Sequence, residues 1–300
     1  MAKAIFTTKV NPAYDDLPEI RYHFPRTYLN QVKAAVGDWI IYYEPRRHDK
    51  HDSSRGGRQA YFATARVVRI EADQKRSDHY YAFVSDYLEF DHPVPFKENS
   101  RYYEGALRRA DGETNKGAFG RSVRLLEDEE YELILRAGFS GVFSAIESLE
   151  TAISNIGFIK EPETFERPVI EKVINRPFRD AAFSRSVRSA YDMTCAMTGL
   201  RIVNGGGRPE VHAAHIKPVA GSGPDSVRNG IALCGTVHWM FDRGLVSVDD
   251  DYKILTVNSG IPEAMLRLLR SEGHLHLPKA RELWPHPQFL HYHRNHVFKG

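Results

Sequence analysis

The chain has 300 residues, 42% of them hydrophobic, with 41 Lys and Arg against 39 Asp and Glu for a formal net charge of +2. That length accommodates two ordinary domains with a sizeable core, and a charge so near balance means that any basic, nucleic-acid-binding surface must be local. No apolar run is long enough to span a bilayer, and the opening MAKAIFTTKV lacks the pattern of a secretory leader, so a soluble, cytoplasmic protein with no membrane partner is expected.

Residues 1–140 read as mainly β. Gly37-Asp38 opens an apolar strand, Trp39 to Tyr43, which Pro45 stops. Tyr61 to Ile70 (YFATARVVRI) is free of breakers, and His79 to Phe90 alternates aromatic with small or polar residues. Short strands separated by polar turns suggest a small barrel. Asp128 then begins a helix to Arg136, closed by Gly138. Between the first two of these strands lies EPRRHDKHDSSRGGRQ, readable as a solvated loop or as a basic finger on phosphates through Arg46, Arg47, Lys50, Arg55 and Arg58. A second such loop, ADGETNKGAFGRSVR, offers Lys116 and Arg121.

The pieces YHFPRTYL, VGDWIIYYEPRR and AYFATARV resemble the PUA superfamily, in its EVE/ASCH-like group. The resemblance implies a nucleic-acid-binding barrel that accepts a flipped, modified base. Such a base needs aromatic faces to replace its lost stacking and polar groups to read its edge. Trp39, Tyr43, Tyr61 and Tyr87 are the candidate faces, with Asp86 and Asn115 for the edge. Taken singly, each aromatic reads equally well as barrel core.

Phe143, Ile146, Leu149, Ile153 and Ile156 follow at helical spacing, and residues 141–178 read as a helical connector. A spacer packed on one domain and a homodimerisation helix both fit that stripe. From Arg179, an amphipathic helix through Phe183, Val187 and Tyr191 opens the second domain, 179–300.

The stretch Pro209 to Gly244 carries His215, Asn229 and His238. Val211 to Val219 reads as a strand bearing His215, Ala220 to Asn229 as a loop, and the residues around His238 and Asp242 as a short helix ended by Gly244. A hairpin turning at Asp249-Asp250-Asp251 follows. Phosphodiester hydrolysis needs an activated water and positive charge at the departing oxygen. A strand histidine can take the proton near neutral pH and a helix histidine can hold a divalent metal.

The pieces AHIKP, NGIALC and HWMFDRG resemble the ββα-metal core of HNH nucleases of the modification-dependent restriction type. The lead-in RDAAFSRSVRSAYDMTCAMTG and the tail LPKARELWPHPQFLHYHRNHVF match the same branch. The resemblance implies His215 as general base, Asn229 as the residue orienting it through its amide, and His238 as ligand to a divalent metal, Mg²⁺ or Mn²⁺. Many such sites carry a further ligand immediately before the base, where this chain has Ala214. Asp242, at i+4 from His238, is one substitute, although a structural contact at the helix C-terminus fits it equally. His212, across the strand from His215, reads rather as solvent-facing.

Zinc-stabilised relatives carry a Cys pair at each of two knuckles. Here Cys195 and Cys234 are the sole cysteines, so a structural zinc held by four cysteines is excluded by count. Six of the 14 histidines fall between His274 and His296, at irregular spacing that suits packing better than a metal tract.

The whole therefore reads as an α+β protein: a PUA-like barrel, a helical connector and an HNH endodeoxyribonuclease domain. It would cut double-stranded DNA near a flipped 5-hydroxymethyl- or 5-methylcytosine. An RNA-directed nuclease and a non-catalytic reader with a degenerate HNH fold are the alternatives.

Overall fold

The computed structural model describes residues 2–8, 17–45, 58–99, 101–144, 175–269 and 273–300. It divides into two compact units, Met1–Ala182 and Phe183–Gly300.

The first unit is built on a six-stranded mixed sheet. Its strands are β1 (Lys3–Thr7), β2 (Arg21–Pro25), β3 (Trp39–Glu44), β4 (Ala60–Ala72), β5 (His79–Pro95) and, after the two-residue pair β6 (Lys97–Glu98) and β7 (Arg101–Tyr102), β8 (Val123–Leu126). The order is β2-β5-β4-β3-β1-β8, with β1 parallel to β3 and the other neighbours antiparallel. The apolar run of β3 is buried on both faces, as unbroken apolar strands must be. Ile41 and Tyr43 enter one core with Ile5, Tyr61, Leu88 and Phe90, while Ile40 and Tyr42 enter another with Phe6, Tyr22 and Phe24. Helix α1 (Leu29–Ala34) supplies Val32 to the second core; α2 (Lys116–Phe119) is a single turn; α3 (Asp128–Gly138) covers the first core with Tyr131, Ile134 and Leu135.

Among the described residues, the expected barrel is not closed by a backbone ladder. The sheet curls, and a side chain of edge strand β2 reaches the opposite edge: Tyr22 donates its hydroxyl to the carbonyls of Thr7 and Ser122, at 3.1 and 3.3 Å. Between Thr64/Leu88 and Arg66/Ser85, β5 carries one residue more than β4. This bulge holds Asp86 at φ 54°.

Helix α4 (Arg176–Ala190) begins in the first unit and ends in the second. The second unit then forms an antiparallel pair, β9 (His212–His215) with β10 (Gly230–Leu233), followed directly by α5 (Gly235–Asp242). The hairpin β11 (Val246–Val248) and β12 (Ile254–Thr256), the short α6 (Glu263–Leu268) and α7 (Pro287–His296) complete it. The hairpin turn is held by Asp249, whose Oδ1 accepts the amides of Asp251 and Lys253. Gly244 ends α5 at φ 73°, and a Cβ there would lie 2.0 Å from the Val297 carbonyl, so both conformation and space require glycine. Among the described residues no helix is long and apolar enough to cross a membrane.

Candidate active site

Strand β9 ends at His215, four residues short of the expected Val219, and the reason lies in Asn229. The Asn229 carbonyl accepts the Ile216 amide at 2.9 Å, the last ladder-like bond. Its side chain then takes over the backbone beyond. Oδ1 accepts the Lys217 amide at 2.8 Å, and Nδ2 donates to the carbonyls of Lys217 and Pro224 at 3.0 and 2.9 Å. Asn229 is fully buried, so these three bonds meet its demand for partners. Gly223 makes the approach feasible, because a Cβ there would stand 1.8 Å from the Lys217 carbonyl oxygen.

The Asn229 amide makes these bonds to the backbone and none to the His215 ring among the described residues. It fixes the chain just beyond His215. The ring itself is held elsewhere: Nε2 lies 2.9 Å from Oδ1 of the buried Asp225, and its face stacks on Phe183, with centroids 3.8 Å apart and planes at 12°. The ring's other nitrogen, Nδ1, has no hydrogen-bond partner among the described residues. Neither Asp225 nor Phe183 stands out in the sequence as a site residue. An Asp inside GSGPDSVRN has the composition of any turn, and Phe183 reads as an ordinary apolar position on its helix.

Helix α5 carries His238 and Asp242, one turn apart, with Nε2 and Oδ2 separated by 3.5 Å. Burial first, with the neighbouring His212 and His215 adding to it, lowers the His238 pKa against the pull of Asp242. The imidazole is therefore kept neutral, the form that ligates a metal. His212 is exposed, as expected, yet its ring lies 5.9 Å from that of His238. It shares a strand face with the fully buried Ala214, and that alternation brings it beside α5. Thus the face opposite His215 is not remote from the site. Among the described residues no three His, Cys, Asp or Glu side chains form a finished metal cage. His238 and Asp242 bring the nitrogen and oxygen donor types that divalent cations accept.

The two cysteines meet beside this core. The Cys234 thiol donates to the Cys195 sulfur, and Thr198 adds its hydroxyl and amide, which draws Cys195 down to about 5. The same bond and burial push Cys234 up. In the tail, His293 is buried against Phe241, with ring centroids 3.8 Å apart. Its Nε2 donates to the Phe241 carbonyl at 3.1 Å and its Nδ1 accepts from the Ser247 hydroxyl at 2.8 Å, so it ties α7 to α5 and β11.

Residues 195–249 match the HNH endonuclease family model (HNH_2). This segment is an HNH endonuclease domain. Within it lie β9, β10 and α5 in succession, with His215 on β9, Asn229 just before β10 and His238 on α5. Among solved structures, the chain is similar to a "Modification dependent TagI restriction endonuclease", at 15% identity and a TM-score of 0.32, over 97% of this chain and 81% of the other. It is also similar to the "Type IV phosphorothioation-dependent restriction endonuclease ScoMcrA", at 14% identity and a TM-score of 0.20, over 97% of this chain and 57% of that one. A search of curated proteins returned no match.

The residues expected to read a base scatter in the first unit. Tyr43, Tyr61 and Tyr87 are at most 2% exposed, so none offers a ring face to solvent. Tyr61 donates to Glu104 at 2.6 Å inside a buried network in which Arg124 holds both carboxylate oxygens at 2.7 Å. Tyr43 packs edge-on against Tyr61 and Phe119, and Tyr87 donates to Glu89 at 3.3 Å. Asn115 caps α2 through the Ala118 amide, at 3.2 Å, which occupies the acceptor expected to read a base edge. Asp86 accepts from Ser85 and is ion-paired to Arg179 at 2.6 Å. Trp39 is only partly buried and pairs with Arg66, which in turn pairs with Ser85; Arg66 and Ser85 line an open cavity of about 320 Å³ with Gly37, Val67 and Val68. Of the basic residues, Lys116 and Arg121 are exposed, while Arg58 pairs with the buried Glu44 at 3.2 Å and lies over the Phe62 ring. Arg46, Arg47, Lys50 and Arg55, with most of the connector, lie outside the described residues.

Proposed function

We propose that this protein is a modification-dependent DNA endonuclease in which the HNH domain cuts and the first unit selects the target. The observation that carries the hydrolytic half is the His215 environment: a histidine with one nitrogen hydrogen-bonded to a buried carboxylate and the other open, across from a neutral His238. In this reading His215 Nδ1 takes a proton from the attacking water as the water oxygen bonds to phosphorus, and the bond from phosphorus to the departing sugar oxygen breaks, that oxygen taking a proton from solvent. Asn229 holds the Lys217–Pro224 loop so that the base does not drift. His238, with Asp242 and His212, would hold a divalent cation, Mg²⁺ or Mn²⁺. When bound, the cation supplies charge neutralisation at the scissile phosphate.

For the selecting half, support comes from the open cavity lined by Gly37, Arg66, Val67, Val68 and Ser85 in a curled, aromatic-rich sheet. A flipped 5-hydroxymethyl- or 5-methylcytosine would meet Arg66 and Ser85 at its polar edge, and Trp39, the partly exposed member of the candidate faces and the cross-strand neighbour of Arg66, is the ring proposed to stack on it. A pocket gaining contacts from a 5-substituent discriminates against plain DNA. Exposed Lys116 and Arg121 would add sequence-independent phosphate contacts.

The test is cleavage of modified and plain DNA and of RNA, with and without Mg²⁺ or Mn²⁺, by wild type and by His215→Gln. Glutamine keeps a donor for Asp225 but cannot act as base. Metal-dependent cutting of modified DNA alone, reduced about 10²–10⁴-fold in the variant, is expected. Equal cutting of plain DNA, or preference for RNA, would refute the targeting.

A further inference from the structure

We infer that Asp225 is a positioning residue for hydrolysis, fixing the tautomer of His215 so that Nδ1 is the nitrogen that receives the water's proton. The inference rests on the reading of His215 as the base and goes beyond it.

Three observations converge on Asp225. Its carboxylate is 1% exposed, a costly place for a charge unless it is well partnered. Oδ1 stands 2.9 Å from His215 Nε2. A carboxylate only accepts, so the proton must sit on Nε2, and Nδ1 is left with a lone pair. The stack of His215 on Phe183 then fixes the plane of the ring, while the bond to Asp225 fixes its rotation within that plane. Two constraints of different kind remove both freedoms of the side chain.

The chemistry follows from charge. When the water O–H bond breaks and the proton joins Nδ1, the ring becomes an imidazolium carrying N–H on both nitrogens. The Asp225 carboxylate already faces one of them, so the positive charge develops against a fixed negative partner that needs no reorganisation. The loop that carries Asp225 is built for this. Asn229 pins it at Pro224, one residue before, and Ser226, one residue after, accepts the Arg228 amide at 3.2 Å. A carboxylate tied on both sides in the chain cannot swing away from the ring.

The test uses the full-length protein and three variants: Asp225→Asn, Asp225→Glu and His215→Gln. An asparagine amide can donate to Nε2 and so favour the opposite tautomer, with little change in volume. Expected for Asp225→Asn are cleavage slowed by about 10–100-fold, unchanged affinity for DNA, and ¹⁵N signals of the His215 ring moving from the Nε2–H pattern towards Nδ1–H. Asp225→Glu restores part of the rate and the wild-type ¹⁵N pattern, and it serves equally if the asparagine variant does not fold. An unmoved ¹⁵N pattern, or wild-type cleavage in Asp225→Asn beside an inactive His215→Gln, overturns the proposal alone. Full activity in His215→Gln overturns the base assignment and this proposal with it.

Discussion

The side-chain amide of Asn229 forms a two-way bond with the Lys217 peptide, accepting its N–H at 2.8 Å and donating to its C=O at 3.0 Å. It thus imitates one rung of a sheet at the point where β9 has stopped. The chain after His215 is thereby held as firmly as if the strand continued, while the backbone is free to turn towards Asp225.

Asn229→Ala should therefore lower stability as well as activity. Three backbone groups, one buried and two part-buried, lose their partner at once, and an unsatisfied buried group costs about 1–3 kcal/mol. Asn229→Asp should be no better, because a carboxylate cannot donate to the two carbonyls. Thermal unfolding beside a cleavage assay checks this. A variant with the wild-type midpoint and no activity would mean that Asn229 acts on the chemistry and not on the loop.

Much of this is readable from sequence, for identifiable reasons. The β3 run, the breaker-free β4 and the Asp249 turn carry strong local signals, and the segment that matches the HNH family model holds the motif pieces AHIKP, NGIALC and HWMFDRG. What is hidden depends on contacts between distant segments. Asp225 lies ten residues from His215 and Phe183 lies 32 before it, and neither differs in type from its neighbours in loop or helix. The expected aromatic cage does not form for a related reason. In strands buried on both faces, Tyr43 and Tyr61 enter one core and Tyr87 the other, and the period-2 pattern does not tell which ring stays open.

Substitutions at the metal face should separate three donors. His238→Ala should abolish cutting or raise the Mg²⁺ or Mn²⁺ concentration for half-maximal rate by about 10-fold or more, on the order of the effect of losing a ligand's support. Asp242→Ala and His212→Ala should each raise it if they ligate, and the larger shift identifies the closer donor. A metal titration matching wild type in either variant removes that side chain from the set.

The selecting half yields a paired prediction, measured as binding by full-length protein in the His215→Gln background. Trp39→Ala should weaken modified DNA by about 1–3 kcal/mol, one to two decades in Kd, through loss of one stacking face. Tyr43→Phe should leave binding unchanged. Its hydroxyl is buried without a hydrogen-bond partner among the described residues, so removing it should be neutral or stabilising. Equal loss in both variants would indicate a perturbed core and no stacking role for Trp39.

His293 should make the second unit sensitive to acid. Burial lowers its pKa from 6.5 to about 4, against the opposing effect of the Phe241 carbonyl. The folded state therefore binds fewer protons than the unfolded state between these values, and stability falls as pH falls through that window. Above about pH 6.5 the contribution is fully present; below about pH 4 both states are protonated and the loss levels off. The shift corresponds to roughly 3 kcal/mol at the acid end. His293→Gln can keep a donor to Phe241 but cannot titrate, so it should start less stable at about pH 7.5 and lose less on acidification. Urea titrations of both proteins at about pH 7.5, 6 and 5 should show their stabilities converging as pH falls. Parallel losses across that range would mean that acid acts through other groups and that His293 exchanges its proton alike in both states.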